Sequence, residues 1–261
     1  MTGIYRPIHR KIATMSKEVI FYDLPSRGSK PTAWSLNPWK ARLVLNYKHI
    51  PYKTQWVEYP DLAPTFKSLG IPPNDPTVNP NATYSSPAIS LPDGRHIMDS
   101  LAIAHELEKL YPSPSLSFDK AEEMQSAVLK VNKALVPIII PRIPELILND
   151  SSKEYFLETR AKRFGKPLPE LARTADVGKC WEDAKSGLHE ISALLAGNHD
   201  GRTFVLGGNQ EPSFADFVLA GFWRFVERVD VDGDLWARLK TFDSKFGRHR
   251  MAVAKWLERD D

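Results

Sequence analysis

Cysteine is almost missing from this chain: Cys180 is the only one in 261 residues. An intramolecular disulfide is excluded, and so is a metal cluster built on thiolates. Residues 1–112 hold no cysteine at all, which disfavours thiol–disulfide exchange in that half. The seven histidines show no ligand spacing with Cys, Asp or Glu, so no metal is expected. Long apolar runs are also lacking. The best candidate, 134–148, is interrupted by Pro137, Pro141, Arg142 and Pro144, and no membrane span is expected. A basic surface is lacking too. Residues 1–17 hold Arg6, Arg10, Lys11 and Lys17 and no acid, which more than accounts for the net charge of +3. The remainder is close to neutral and gives no sign of a nucleic-acid partner.

What is present is the profile of a globular protein, 42% hydrophobic and 26% charged, on a chain long enough for two domains. Residues 1–17 lack an apolar signal core and are expected to be an extension outside the fold, disordered or added, with the protein in the cytoplasm. From 18 to 111 short strand-like and helix-like pieces alternate: 19–22, the turn-rich 23–37, a helix over 38–47, a strand over 52–57 and a helix over 61–69. Two apolar runs, 88–91 and 96–98, flank Pro92-Asp93-Gly94-Arg95, and Asp-Gly between such runs predicts a hairpin. An amphipathic helix follows, with Leu101, Ala104, Leu107, Leu110 and Tyr111 on one face. The order β-α-β-α-β-β-α is that of an α/β thioredoxin-like domain. Residues 112–117, with two prolines and three serines, read as a linker. The rest, 118–261, reads as an all-α C-terminal helical domain, with helices near 118–136, 151–164, 173–196, 213–228, 234–246 and 248–258. Cys180 falls in the third of these as a buried thiol.

Three short segments could carry chemistry, and each also has a plain structural reading. Asn37 suits a helix N-cap and Pro38 the first helical position, which would place Ser35 just outside a helix start. Unpaired N–H groups and the helix dipole favour an anion there, and a serine hydroxyl can donate to a thiolate. Equally, Ser35 and Asn37 could simply satisfy a loop and a helix end. Pro87, after Ser86, could be punctuation at a strand start. Asp99-Ser100 could be a capping pair, or a carboxylate site made of the Ser100 hydroxyl and free N–H groups.

Order and spacing of these segments resemble the glutathione transferases over nearly the whole chain after residue 17. The resemblance implies that the backbone of Ser86, before a cis Pro87, holds the cysteinyl part of glutathione. Asp99-Ser100 would hold the γ-glutamyl end, with Asp where many members have Glu or Gln. Ser35 would contact the sulfur, helped by Asn37. The stretches Trp34–Lys40, Leu45–Lys48 with Pro51–Lys53, and Trp56–Asp61 are most similar to the fungal-specific A class and to bacterial β-etherases of this family. The family resemblance also implies a homodimer. Ser213-Phe214-Ala215-Asp216 matches a capping box of its helical domain, read here as structural.

Three functions compete. The first is an enzyme that activates glutathione as a thiolate against hydrophobic aromatic compounds, by conjugation or ether cleavage, in detoxification. The second is a ligandin that holds such compounds with little turnover. The third is a regulatory protein that retains only the fold. For the second substrate the proline-broken stretch 134–148 offers Ile140 as one wall of an apolar cleft, with Trp34 or Trp39 supplying an aromatic surface. The alternative is that its isoleucines fill the helical core.

Overall fold

The computed structural model describes residues 18–77, 79–80, 82–196, 203–206 and 211–261. The expected extension, 1–17, lies outside the described residues. Strand β1 (Val19–Asp23) is the apolar centre of a four-stranded sheet ordered β2-β1-β3-β4. It runs parallel to β2 (Tyr52–Trp56), with Val19 opposite Tyr52, and antiparallel to β3 (Ala88–Ser90), with Phe21 opposite Ile89. A parallel pair needs a crossover, and helix α1 (Leu36–Tyr47) supplies it. Helix α2 (Leu62–Ser68) leads towards β3, and β4 (His96–Met98) closes the sheet. The predicted β3–β4 hairpin forms around Gly94, whose φ of +88° suits only glycine without strain, and Leu91 donates to the Arg95 carbonyl at 2.8 Å. Helix α3 (Ser100–Leu110) completes the mixed-sheet domain.

The second half is helical. It contains α4 (Ala121–Ala134), α5 (Val136–Ile139), α6 (Ile143–Leu146), α7 (Asp150–Phe164), α8 (Leu168–Arg173), α9 (Val177–Ala196), α10 (Phe214–Val229), α11 (Asp234–Phe242) and α12 (Ser244–Ala252). The prolines of 134–148 do break the backbone: a 3-10 turn at Ile140–Arg142 separates α5 from α6. The stretch expected as one helix over 234–246 is split at Asp243, whose extended backbone and side chain cap α12 through the Lys245 amide. Cys180 is buried on α9.

The two halves meet where α10 crosses the start of α1. A Cβ on Gly221 would stand 3.0 Å from the Leu36 carbonyl oxygen and 3.3 Å from Trp39 Cβ, so glycine is what lets the helices come this close. The capping box at Ser213 forms, with the Ser213 amide and hydroxyl both donating to Asp216 Oδ2 at 2.7 Å. Its acid also reaches far beyond the helix end. Asp216 Oδ1 accepts from the Val205 amide and contacts His249 Nε2 at 3.1 Å. Trp223 Nε1–H is donor-only, so its 3.1 Å contact makes His249 Nδ1 the acceptor and puts the imidazole proton on Nε2, facing Asp216. This buried chain locks α12 to α10, and α10 in turn supports α1.

Candidate functional site

Helix α1 starts two residues earlier than its sequence suggested. Leu36 is its first residue, Ser35 is the N-cap with extended backbone (ψ 139°), and Asn37 is an exposed residue of the first turn. Pro38 is tolerated because the first four helical N–H groups have no intrahelical partner to lose. The first helical bond runs from the Trp39 amide to the Ser35 carbonyl at 3.3 Å. The Ser35 side chain does not cap the helix. Among the described residues its hydroxyl has no hydrogen-bond partner, and it sits half-exposed at the positive end of α1.

The Ser86–Pro87 peptide is cis. The Ser86 hydroxyl donates to the Tyr22 carbonyl at 3.2 Å, pinning this loop to β1. Among the described residues the Ser86 amide and carbonyl take no part in the backbone hydrogen bonding. Asn74 shapes the approach, donating through Nδ2 to the Ala82 carbonyl at 2.8 Å and to Ser85 Oγ at 3.0 Å. Pro87 is tied to the next segment, because its carbonyl accepts from the Asp99 amide at 3.2 Å.

Asp99 is the N-cap of α3. Its Oδ1 accepts from the amides of Leu101 at 2.9 Å and Ala102 at 3.1 Å. The capping reading is therefore correct for one carboxylate oxygen, while no hydrogen bond within the described residues occupies Oδ2. Asp99 has φ +90°, an uncommon conformation for a residue with a side chain, which turns the chain sharply between β4 and α3. Ser100 is 5% exposed, and among the described residues its hydroxyl has no partner.

Two cations of α1 complete the surroundings. Lys40 is only 4% exposed and donates to Gln125 Oε1 of α4 at 3.2 Å. Burial pushes its ammonium down to about 8, with the charge of Asp99 pulling the other way. A shift of that size corresponds to a penalty of about 3 kcal/mol at neutral pH, which an apolar residue there would not carry. Arg42 is fully buried and bonds Asp23 Oδ2 at 2.9 Å, Tyr52 Oη at 3.2 Å and Thr54 Oγ1 at 3.1 Å. Burial opposes the Arg42 charge, but Asp23 and Tyr52 together outweigh it and hold the guanidinium above its ordinary value. Nothing in the sequence motifs singled out Lys40. The available signal was that Trp39, Ala41, Leu43, Val44 and Leu45 leave α1 no polar face, so any charge within it must be buried and partnered.

The aromatic surface expected of Trp34 and Trp39 is not there. They are 2% and 0% exposed, because α10 covers the start of α1, with Phe225 against Trp34 and Gly221 against Trp39. Ile138, Ile139 and Ile143 are core residues, whereas Ile140 remains half-buried on the 3-10 turn. Ring faces come instead from Tyr59, which meets Trp34 edge-on, and from Tyr155, 39% exposed and stacked on Tyr59 at 6.1 Å. Burial pushes the Tyr59 phenol up to about 12, so it stays protonated. Among the described residues no three His, Cys, Asp or Glu are grouped to hold a metal ion, and no helix is long and apolar enough to cross a membrane.

A thioredoxin-like sheet domain with a cis-proline loop, joined to a helical domain, defines the class. The family model of the glutathione S-transferase N-terminal domain matches residues 34–110, and that of the C-terminal domain matches 122–256. The chain belongs to the glutathione transferase family. It is 34% identical over 259 residues to the glutathione S-transferase-like protein ustS of Aspergillus flavus, covering 92% of this chain and 89% of that one. Among solved structures it resembles the glutathione S-transferase CsGST63524 of Ceriporiopsis subvermispora in complex with glutathione. That likeness has a TM-score of 0.81 and 33% identity, over 94% of this chain and 99% of the other. Glutathione transferase GSTFuA3 of Phanerochaete chrysosporium gives 0.80 and 30%, over 94% and 98%.

Proposed function

We propose that the protein is a serine-type glutathione transferase of the fungal-specific A class, which activates glutathione as a thiolate and directs it at hydrophobic aromatic compounds. The observation that carries this reading is a set of polar groups around one end of the sheet that have no hydrogen-bond partner among the described residues: the Ser35 hydroxyl, the Ser86 amide and carbonyl beside cis Pro87, and Asp99 Oδ2 with the Ser100 hydroxyl. Ser35 would donate to the sulfur, with Asn37 exposed on the adjacent turn. Ser86 would pair with the cysteinyl backbone, Asp99 with the γ-glutamyl ammonium and Ser100 with its carboxylate. The assay that tests the whole reading measures glutathione conjugation, cleavage of a β-aryl ether and displacement of a fluorescent apolar dye side by side. Dye binding without turnover would favour the ligandin. Failure to bind either glutathione or the dye would leave only the regulatory alternative.

Asp99→Asn preserves a capping oxygen and removes the charge, so it separates the two duties of this residue. It should raise the glutathione KM several-fold with a smaller change in kcat, as expected when uniform binding is lost. Asp99→Ala should in addition lower stability by about 1 kcal/mol through the lost cap. Unchanged glutathione affinity by calorimetry in Asp99→Asn and Ser100→Ala would remove both from the site.

For the second substrate, the half-buried Ile140 and Tyr59 and the 39% exposed Tyr155 are the candidate contacts. Ile140→Asp should weaken an aromatic ligand at least 10-fold while leaving glutathione affinity within about twofold, since one buried charge opposes apolar contact only. Equal loss of both ligands with a lowered melting temperature would return Ile140 to the core. A homodimer is proposed as well. Leu101 and Leu110 of α3 and Leu129 of α4 stay 37%, 41% and 61% exposed, apolar surface that a second copy would cover.

A further inference from the structure

We infer that Lys40 is a specificity-determining residue, its buried ammonium facing the α-carboxylate of the γ-glutamyl group while Asp99 faces the neighbouring ammonium. This rests on the reading that the chain binds glutathione. An ammonium has three N–H donors, and among the described residues Lys40 uses one, towards the neutral Gln125 at 3.2 Å. No carboxylate within those residues comes within ion-pair distance of it. Asp99 is the acid whose charge acts on it, and Gln125 is the polar group that α4 presents. A buried cation with one neutral partner is incomplete, because its desolvation is offset only when a full set of acceptors or an anion is supplied. Ser100, 5% exposed on the turn of α3 that Asp99 caps, has no hydrogen-bond partner for its hydroxyl among the described residues.

The chemistry that fits both is zwitterionic. An α-amino-acid head carries an ammonium and a carboxylate on one carbon, and here α1 packs against α3 so that the charge of Asp99 acts on the Lys40 ammonium. Lys40 would then select for the carboxylate rather than for the peptide as a whole. Its other duty, bridging α1 to α4 through Gln125, is structural and would be blind to ligand identity.

The two roles separate in a ligand series titrated by calorimetry at pH 7. S-methylglutathione removes the thiol from the measurement. Its analogue with 4-aminobutyryl in place of γ-glutamyl lacks only the α-carboxylate, and the glutaryl analogue lacks only the α-ammonium. Lys40→Met and Lys40→Gln, the second retaining a donor for Gln125, should each weaken S-methylglutathione and the glutaryl analogue by about 10- to 100-fold, the range of one charge-assisted hydrogen bond. The 4-aminobutyryl analogue should change less than about twofold. Equal weakening of all three ligands, no weakening of any, or failure of both variants to fold would overturn the inference. A wild-type protein that binds none of the three would instead overturn the glutathione reading beneath it.

Discussion

Ser35→Ala is expected to lower turnover by about 10- to 1000-fold, equivalent to about 1.4–4 kcal/mol of lost transition-state stabilisation. The change should be confined to chemistry for a reason visible at the helix start. The Ser35 side chain does not cap α1, so replacing it takes no hydrogen bond from the fold. The anchoring groups proposed at Ser86, Asp99 and Ser100 are untouched, so glutathione affinity should shift much less than turnover. What the variant loses is a donor to the sulfur. A free thiol titrates near ~8.5, and one favourable hydrogen bond plus the dipole of a helix N-terminus can lower that by one or more units. Removing the donor raises the apparent pKa of bound glutathione. The deficit should therefore be largest on the acid side and shrink as pH rises past the thiol's own value. A wild-type rate at pH 6.5 in Ser35→Ala would take Ser35 out of the mechanism.

Arg42→Met should be the most destabilising change near the site, at about 3–5 kcal/mol by urea denaturation. It would leave the Asp23 carboxylate buried with its main partner gone. Both side chains of the pair are inaccessible to solvent. The guanidinium also lies over the Phe21 ring at 4.9 Å, so packing is lost along with charge. Asp23 closes β1, and its carbonyl accepts from the Val57 amide at 2.8 Å. The loop to Ser35 departs from this strand end, so loosening it should lower activity together with stability. Adding Asp23→Asn to Arg42→Met should recover part of the loss, because the stranded charge is then neutral. If the single variant melts like wild type, or the double variant is worse by the full sum, the pair does not act as a unit.

The features readable from the chain were those whose cause is local. The Asp-Gly turn dictates the β3–β4 hairpin through one glycine conformation, and the prolines of 134–148 break the helix by removing donors. The Ser213–Asp216 box is visible because both partners lie within one turn. Less legible were features decided by distant residues. Asn37-Pro38 looks like a helix start, yet α1 begins at Leu36. Trp34 and Trp39 sit beside Ser35 in sequence, but their burial is set by Gly221 and Phe225, nearly 190 residues later. The apolar surroundings of Lys40 in α1 say that it must be partnered, but which group partners it is decided only when α4 brings Gln125 to it. The reach of Asp216 to His249 and Trp223 likewise depends on α12 folding back onto α10. Of the candidate site, the segments were recognisable through family resemblance, whereas their convergence depends on the sheet and on the Pro87–Asp99 contact.

The run 256–261 has a bearing on how the molecule keeps to itself. Strand β2 is the outermost strand on its side of the sheet, and an open strand edge is a template on which another chain can pair. Here one backbone acceptor of that edge is taken from within, and side chains beside it are tied to the same run. Arg259 Nη2 donates to the Tyr52 carbonyl at 2.6 Å, and Thr54 and Arg42 both donate to the Asp261 carbonyl oxygen. Asn46 holds the approach by donating to the Trp256 carbonyl at 2.7 Å, and the Ala33 amide donates to the Asp260 carbonyl at 2.7 Å. The same few residues thus cover part of a sheet margin and brace the loop two positions before Ser35, so that the guarding of an open edge and the placing of the α1 start fall to one short stretch of chain.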